Sequence, residues 1–217
     1  LASDTMATVG PNPDFIYTSA MPRAVPADRP YAYLKIADGC NHRCAFCAIP
    51  HIRGRQRSRT PEDIEQEARE LTDRGFGELI LVAQDGTAYG RDLGITDGLA
   101  VLLERLSRIP HVGWIRPMYM FPGGISDRLL DLMAERDCIT SYVDIPLQHS
   151  ERHILQAMKR PYDSETYLTM LDGIRNRLGD DVAIRTSLIV GFPGETDRDV
   201  ENLISFVKEA RFHHVGV

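Results

Sequence analysis

Hydrophobic and polar residues follow two alternating periods along this chain, from about residue 31 to its end. Short apolar runs, such as residues 79–82, are typical of strands in a buried parallel sheet. Between these runs, apolar residues recur at helical spacing, as do the leucines of residues 98–108. The patterns predict strands at 31–36, 79–82, 114–119, 142–145, 182–190 and 214–217.

Capping residues mark where the predicted helices begin. Thr60 precedes Pro61 and two acidic residues, which is a typical helix start, and Gly75 ends that helical pattern. The predicted helices cover about 61–74, 98–108, 127–135, 151–158, 164–177 and 197–210, with Ser150 as the expected cap of the fourth.

Strands that alternate with helices predict an α/β fold with a parallel sheet and right-handed crossovers. Such units build either an open doubly wound sheet or a barrel. No glycine-rich dinucleotide motif follows the first strand, which favours a partial (β/α)6 TIM-like barrel. Barrels gather their chemistry at the carboxyl ends of the strands. Four polar motifs follow strands here: the 40–47 cysteine segment, Gln84-Asp85, Gln148-His149 and the 191–195 turn.

Composition excludes several classes of protein. The 217-residue chain has a formal net charge of −6, which argues against a surface built to bind nucleic acid. No apolar run approaches the roughly 20 residues that span a bilayer, and the N-terminus lacks a secretory signal. Four cysteines, three of them clustered, do not resemble a disulfide framework, so a reducing, cytoplasmic location is expected.

The first residues differ from the rest in composition. Residues 1–30 are rich in proline and show little periodicity, which predicts an extended linker or wrapping arm before one domain at 31–217. The first residue is Leu rather than Met, so the chain is expected to be an excerpt of a longer protein.

Cys40, Cys44 and Cys47 give the strongest chemical signal in the chain. Thiolates this close together bind a soft metal. Three ligands are one short of the four that an iron–sulfur cube normally takes, which would leave one iron open to a small molecule. The alternative is a structural zinc site with His42 or His51 as its fourth ligand, although zinc sites usually pair their cysteines at two separate places.

Other polar residues at strand ends could hold an amino-acid-like cofactor. Gln84 and Asp85 could accept hydrogen bonds from a ligand ammonium group, and Arg116 or Arg185 could bind a ligand carboxylate. The alternative for Arg185 is a structural ion pair with Asp144.

A second group of candidates is less specific. Gln148, Ser187 and Gly191 follow buried strands, and the glycine would allow a ligand to approach the backbone closely. His149 fits a structural histidine as well as a catalytic one. Two further features are a lone Cys138, expected to be a small buried hydrophobe, and an alternating run of Arg53, Arg55, Arg57 and Arg59, read either as a solvated segment or as an anion contact.

Several motifs together resemble the radical S-adenosylmethionine (SAM) methylthiotransferases. The resemblance covers about residues 31–217. Within that family, the motifs resemble the enzymes that modify an aspartate of a ribosomal protein. The motifs are YAYLKI at 31–36, GCNHRCAFC at 39–47, RG at 53–54, AQDGTAYG at 83–90, YVDIPLQH at 142–149, MKRP at 158–161 and IVGFPGET at 189–196.

The resemblance implies a concrete chemistry. Cys40, Cys44 and Cys47 would hold a [4Fe–4S] cluster whose open iron is chelated by SAM. An electron from the cluster would cleave SAM to a 5′-deoxyadenosyl radical, which takes a hydrogen from the β-carbon of an aspartate in a small-subunit ribosomal protein. A methylthio group then joins that carbon.

The same resemblance implies parts that this sequence lacks. A second [4Fe–4S] cluster would lie in a separate N-terminal domain, and a C-terminal TRAM domain would engage the substrate. The chain is therefore expected to cleave SAM without completing methylthiolation. A flavodoxin- or ferredoxin-like electron donor, a monomeric state and no membrane partner are also expected.

Two other functions remain open at this point. The related enzymes that modify a tRNA adenosine typically carry Gly-Gln-Asn-Val-Asn-Ser-Tyr-Gly where this chain has residues 83–90. They carry a Leu-Pro-Val-Gln-Ser type segment where this chain has residues 145–149, so both segments favour the ribosomal-protein branch. Gly86 departs from that branch, in which threonine is more usual. The third possibility is a zinc-stabilised binding module without catalysis.

Overall fold

The computed structural model describes residues 15–26 and 28–217, and strands and helices alternate through most of that part of the chain. The strands are β1 (Tyr31–Lys35), β2 (Ala37–Asp38), β3 (Arg57–Ser58), β4 (Glu78–Val82), β5 (Trp114–Pro117), β6 (Tyr142–Asp144), β7 (Ala183–Ser187) and β8 (His214–Gly216). The α-helices are α1 (Ile49–Arg53), α2 (Pro61–Asp73), α3 (Gly98–Leu106), α4 (Asp127–Glu135), α5 (Arg152–Ala157), α6 (Ser164–Leu178) and α7 (Asp197–Ala210).

The parallel strands form two three-stranded ladders, which together make one curved sheet. β4 pairs with β1 and β5, and β7 pairs with β6 and β8. A parallel bridge between Ile115 and Ile139 joins the halves, where Ile115 N–H donates to the carbonyl of Cys138 at 2.7 Å. The resulting order β1-β4-β5-β6-β7-β8, with helices between successive strands, confirms the predicted partial barrel.

The two faces of this sheet are buried to different extents. In β4, Leu79 and Leu81 belong to the hydrophobic core, whereas Ile80 and Val82 are only half-buried. Side chains alternate across a strand, and Val82 lines a cavity, so the half-buried set faces the inside of the barrel. The interior of the barrel is therefore less tightly filled than its outer face, which leaves room for a ligand.

Most predicted helix starts are confirmed by their caps. Thr60 Oγ1 accepts from Asp63 N–H at the start of α2, and Thr196 and Asp199 form a reciprocal capping box at the start of α7. The cap predicted at Ser150 is wrong, because α5 begins at Arg152 and its N-cap residue is Glu151. Ser150 is only 2% exposed, so its side chain turns inward rather than onto the helix end.

Short elements beside the cysteine segment were not predicted. The two-residue strands β2 and β3 pair antiparallel, and the five-residue α1 follows the last cysteine. Elements this short give no periodic signal. The cysteine segment lies between β2 and α1, so these short elements fix both of its ends.

The described part of the N-terminal segment contacts α2. Tyr17 Oη donates to Glu67 at 3.3 Å, Ser19 Oγ donates to Asp63 at 2.7 Å, and Arg23 pairs with Glu67 at 2.7 Å. The division into an arm at 1–30 and a domain at 31–217 stays a prediction, and residues 1–14 and 27 lie outside the described residues. Every helix in the described ranges is too short or too polar to cross a membrane.

A cysteine-lined cavity at the carboxyl ends of the strands

The backbone around the three cysteines is fixed by hydrogen bonds to distant segments. Cys40 N–H donates to the carbonyl of Gly54 at 3.2 Å, and Ala45 N–H donates to the carbonyl of Met158 at 3.0 Å. Gly39 has φ of +79°, and a Cβ there would lie 2.3 Å from the carbonyl oxygen of Arg55. Only glycine fits at this position, so the sequence is adapted to a tight loop that presents its cysteines in one direction.

The three cysteines line one cavity of about 490 Å³. Gln84, at the end of β4, and Gln148, after β6, line the same cavity, so it lies at the carboxyl ends of the strands. Gln148 and Tyr119, another lining residue, have φ of 80° and 56°. Such left-handed conformations are costly for residues with side chains and cluster at functional sites.

The cysteine sulfurs lie in a setting that favours a bound cation. Burial raises the pKa of the Cys40 thiol, and the neighbouring Cys44 and Cys47 raise it further. Backbone N–H of His42 donates to Cys40 Sγ at 3.4 Å. A thiolate of Cys40 is therefore disfavoured unless a positive group, such as a metal, lies beside it in the cavity.

The three cysteine sulfurs lie too far apart to bind one zinc ion together. Zinc–ligand bonds of about 2.0–2.3 Å in a tetrahedron place neighbouring ligand atoms within about 3.8 Å of one another. Among the described residues, Glu151, His153 and Asp199 form the one group of three His, Cys, Asp or Glu ligand atoms that all lie within 4.8 Å. No three ligands from the cysteine loop are that close, whereas a cube, with one thiolate on each ligated iron, accommodates wider spacing.

An unpaired polar atom shows that the cavity also suits a polar ligand. Gln84 Oε1 is buried and has no hydrogen-bond partner among the described residues. A buried acceptor left unpaired is costly, and a ligand ammonium or amide group would satisfy it. The donor set and the open acceptor therefore fit a metal cluster beside an amino-acid-like cofactor.

Asp85 lines the cavity, but both of its carboxylate oxygens already form hydrogen bonds within the protein. Its Oδ2 lies 2.7 Å from His42 Nε2, and its Oδ1 accepts from Thr87 Oγ1 at 2.6 Å and from Ala88 N–H at 3.2 Å. Burial raises the pKa of Asp85, but these hydrogen bonds outweigh burial and lower it overall. Asp85 therefore orients His42 and caps a short 3₁₀ turn. Gly86, next to it, has no room for a side chain, because a Cβ would lie 2.8 Å from the carbonyl of Met118.

Both candidate arginines for a ligand carboxylate lie outside the lining of this cavity. Arg116 pairs with Glu78 at 2.6 Å and lies over the ring of Tyr142 at 4.8 Å. Arg185 pairs with Asp144 at 2.7 Å, which is the structural ion pair given as its alternative. The structure thus brings Gln84, Asp85 and Gln148 to the cysteines and leaves these two arginines in ion pairs outside the cavity lining.

The remaining candidates also lie away from the cavity lining. Ser187 is the last residue of β7, and Gly191 donates its N–H to Glu195 Oε2. His149 is fully buried, and its Nδ1 accepts from Glu151 N–H at 3.0 Å, which leaves Nε2 to donate to Glu195 Oε1 at 3.0 Å. His149 therefore has a structural role, which is to lock the 191–195 turn onto the end of β6.

Neither interpretation of the arginine run, a solvated segment or an anion contact, holds for all of its members. Arg59 is 3% exposed and pairs with Asp63 and Glu67, so it is a structural residue. Arg53 and Arg55 are exposed beside the cysteine loop. Cys138 is partly buried, and burial raises the pKa of its thiol.

Arg160 and Phe121 line the cavity but were not singled out in the sequence. Arg160 is 5% exposed and lies over the ring of Phe121 at 4.4 Å. His42 stacks on the same ring at 3.8 Å. Arg160 lies in the MKRP motif at 158–161, and that motif was the only signal in the sequence that could have identified it.

The fold and the cavity together define the class: an α/β partial barrel with three cysteines around a cavity at the carboxyl ends of its strands. A sequence profile of the Radical SAM superfamily matches residues 34–207. The chain therefore belongs to the radical SAM superfamily.

The curated proteins that this chain resembles are methylthiotransferases. The chain is 50% identical over 206 residues to the ribosomal protein uS12 methylthiotransferase RimO of Syntrophus aciditrophicus, which covers 95% of this chain and 45% of the relative. It is 44% identical over 212 residues to RimO of Solibacter usitatus, covering 97% of this chain and 45% of the relative. The chain thus spans less than half the length of these relatives.

Solved structures of lower identity share the fold. The radical SAM methyltransferase TsrM of Kitasatospora setae, with cobalamin and a [4Fe–4S] cluster bound, matches 95% of this chain and 41% of its own, with a TM-score of 0.72 and 18% identity. Coproporphyrinogen III oxidase HemN of Escherichia coli, a radical SAM enzyme, matches 88% of this chain and 45% of its own, with a TM-score of 0.60 and 18% identity.

Proposed function

We propose that this chain is the radical SAM core of an enzyme that methylthiolates an aspartate β-carbon of ribosomal protein uS12. The observation that carries the proposal is the single cavity in which Cys40, Cys44 and Cys47 meet the unpaired acceptor of Gln84. A [4Fe–4S] cluster held by these thiolates would supply the electron for reductive cleavage of SAM.

The chain's own residues would prepare the site for that chemistry. The three thiolates would bind the cluster and leave one iron free. Gln84 would accept a hydrogen bond from the cofactor's ammonium group, and Asp85 would fix the ring of His42 beside the cluster. Met120 and Phe121, which line the cavity, would keep water from the reacting atoms.

The choice of uS12 rests on the relatives and on the segments at 83–90 and 145–149. Asp85 and His149, which distinguish these segments from the tRNA-modifying branch, both form specific hydrogen bonds. The formal net charge of −6 also suits a basic protein substrate better than an RNA. A cluster bound in this cavity would need an electron donor, and a flavodoxin or ferredoxin is proposed for that role.

The first experiment tests the cluster. Anaerobic reconstitution with iron and sulfide should give a brown protein that contains four irons and forms 5′-deoxyadenosine from SAM after reduction. The variant with Cys40, Cys44 and Cys47 all replaced by alanine should remain colourless, whereas Cys138→Ala is the matched control and should remain brown. A colourless wild type that holds zinc tightly would refute the proposal.

The second experiment tests the substrate without requiring complete methylthiolation. A uS12 peptide with deuterium on the target aspartate β-carbon should transfer deuterium into 5′-deoxyadenosine, as measured by mass spectrometry. The same experiment with a tRNA anticodon stem-loop deuterated at the target adenosine should give unlabelled product. Label transfer from the RNA alone would instead assign the chain to the tRNA-modifying branch.

A further inference from the structure

Arg160 is a buried cation without an acidic partner. It lies between α5 and α6 and is 5% exposed, yet no carboxylate of the described residues lies within ion-pair distance of it. Its Nη2 donates to the carbonyl of Pro146 at 2.7 Å, and its Nη1 donates to Cys44 Sγ at 3.9 Å. A buried guanidinium is costly unless a negative group compensates it. The negative group that its geometry offers is the thiolate of Cys44.

Phe121 holds this guanidinium in place. Arg160 Cζ lies 4.4 Å from the Phe121 ring centroid, and the His42 ring lies 3.8 Å from it with an interplanar angle of 12°. Two groups this close to one centroid would overlap on the same face, so they lie on opposite faces. The stack joins three separate loops, and two of its members, His42 and Arg160, donate an N–H to a cysteine sulfur.

We propose that Arg160 is a positioning residue that orients Cys44 and raises the reduction potential of the cluster bound there. Reduction adds negative charge to a cluster and its sulfurs. A fixed positive charge and an N–H···S hydrogen bond both stabilise the reduced form, and hydrogen bonds to sulfur are a known determinant of cluster potential. This inference rests on the proposed function, because it requires that Cys44 ligate a cluster.

The test compares midpoint potentials of the reconstituted 217-residue chain, measured by redox titration with electron paramagnetic resonance of the reduced cluster. Arg160→Gln should lower the ratio of reduced to oxidised cluster about tenfold at a fixed applied potential, which is 59 mV for a one-electron couple. Arg160→Lys should give a smaller decrease, because lysine keeps the charge but cannot form both bonds with one planar group. Arg128→Gln, which removes an exposed arginine of α4, is the matched control and should change nothing.

An Arg160→Gln protein that holds four irons at the wild-type potential would overturn the inference. If Arg160→Gln does not retain four irons, Arg160→Lys decides: a lowered potential supports the inference, and an unchanged one overturns it. A wild type that binds no cluster would overturn the proposed function and this inference together. A wild-type cluster that cleaves SAM, with a potential insensitive to residue 160, would overturn this inference alone.

Discussion

Replacing Arg59 tests how much of the structure near the cavity depends on one buried ion pair. The side chains of Arg59 and Glu67 are 1% and 5% exposed and approach to 2.6 Å. Arg59 also pairs with Asp63 and donates to the carbonyl of Lys35 at 2.7 Å, so it links the helix α2 to the end of β1. Arg59→Met removes the cation and leaves the Glu67 carboxylate buried.

The loss of stability expected for Arg59→Met depends on the partners that Glu67 keeps. Removing one partner of a buried pair costs about 3–5 kcal/mol, because the other charge stays desolvated. Glu67 would keep Arg23 at 2.7 Å and the Tyr17 hydroxyl at 3.3 Å, so we expect the lower end, about 3 kcal/mol. In a chain of this size, that loss should lower the melting temperature by about 6–12 °C.

Urea unfolding of the cluster-free protein, followed by circular dichroism, measures this cost. Arg69→Met is the matched control: Arg69 pairs with Glu65 at the same 2.6 Å, but its side chain is 49% exposed, so its loss should cost less than about 0.5 kcal/mol. The double variant Arg59→Met/Glu67→Met should recover most of the lost stability, because no unpaired charge remains at that pair. Equal costs for Arg59→Met and Arg69→Met, or a double variant less stable than Arg59→Met, would refute the reasoning.

Two further predictions concern the backbone and pH. Gly98→Ala should destabilise the protein, because its Cβ would lie 2.1 Å from the carbonyl of Tyr89, whereas Gly173→Ala meets no atom within 4 Å and should stabilise α6 by about 0.5–1 kcal/mol in urea unfolding. Hydrogen bonds from Thr166 lower the pKa of Asp163 from 3.8 to about 2. Because the folded-state pKa is the lower one, this contribution is complete above about pH 4 and is lost as the pH falls towards 2. In Asp163→Asn, the free energy of unfolding should fall less between about pH 4 and pH 2 than in the wild type. An equal fall in both proteins would contradict the role given to Asp163.

The sequence predicted the order of elements because each depends on local patterns. The apolar run of β4 and the Thr60–Pro61 start of α2 are read from neighbouring residues alone. The position of the cysteines and of Gln84 and Gln148 followed from topology, since parallel strands end on one edge of a barrel.

The direction of long side chains could be predicted only in part: the pair of Arg185 with Asp144 was one of two alternatives, and the pair of Arg116 with Glu78 was not foreseen. Arg116 and Arg185 lie on strands that line the barrel, but each turns towards an acid, Glu78 or Asp144, that is brought near by the register of an adjacent strand. The contact of Arg160 with Cys44 was not predicted, because nothing in the local sequence after α5 indicates it. These contacts depend on pairings between distant segments, which one sequence does not encode locally.

The hydrogen bond from Ala45 N–H to the carbonyl of Met158 has a consequence for the order of assembly. The cysteine loop is synthesised before its backbone partner and Arg160, which are added only after the strands β1 to β6 have been translated. Contacts between such distant segments form late in folding because their loop closure is costly. We therefore expect the three thiols to remain without their final geometry until the second half of the sheet has docked, so that cluster insertion follows barrel closure.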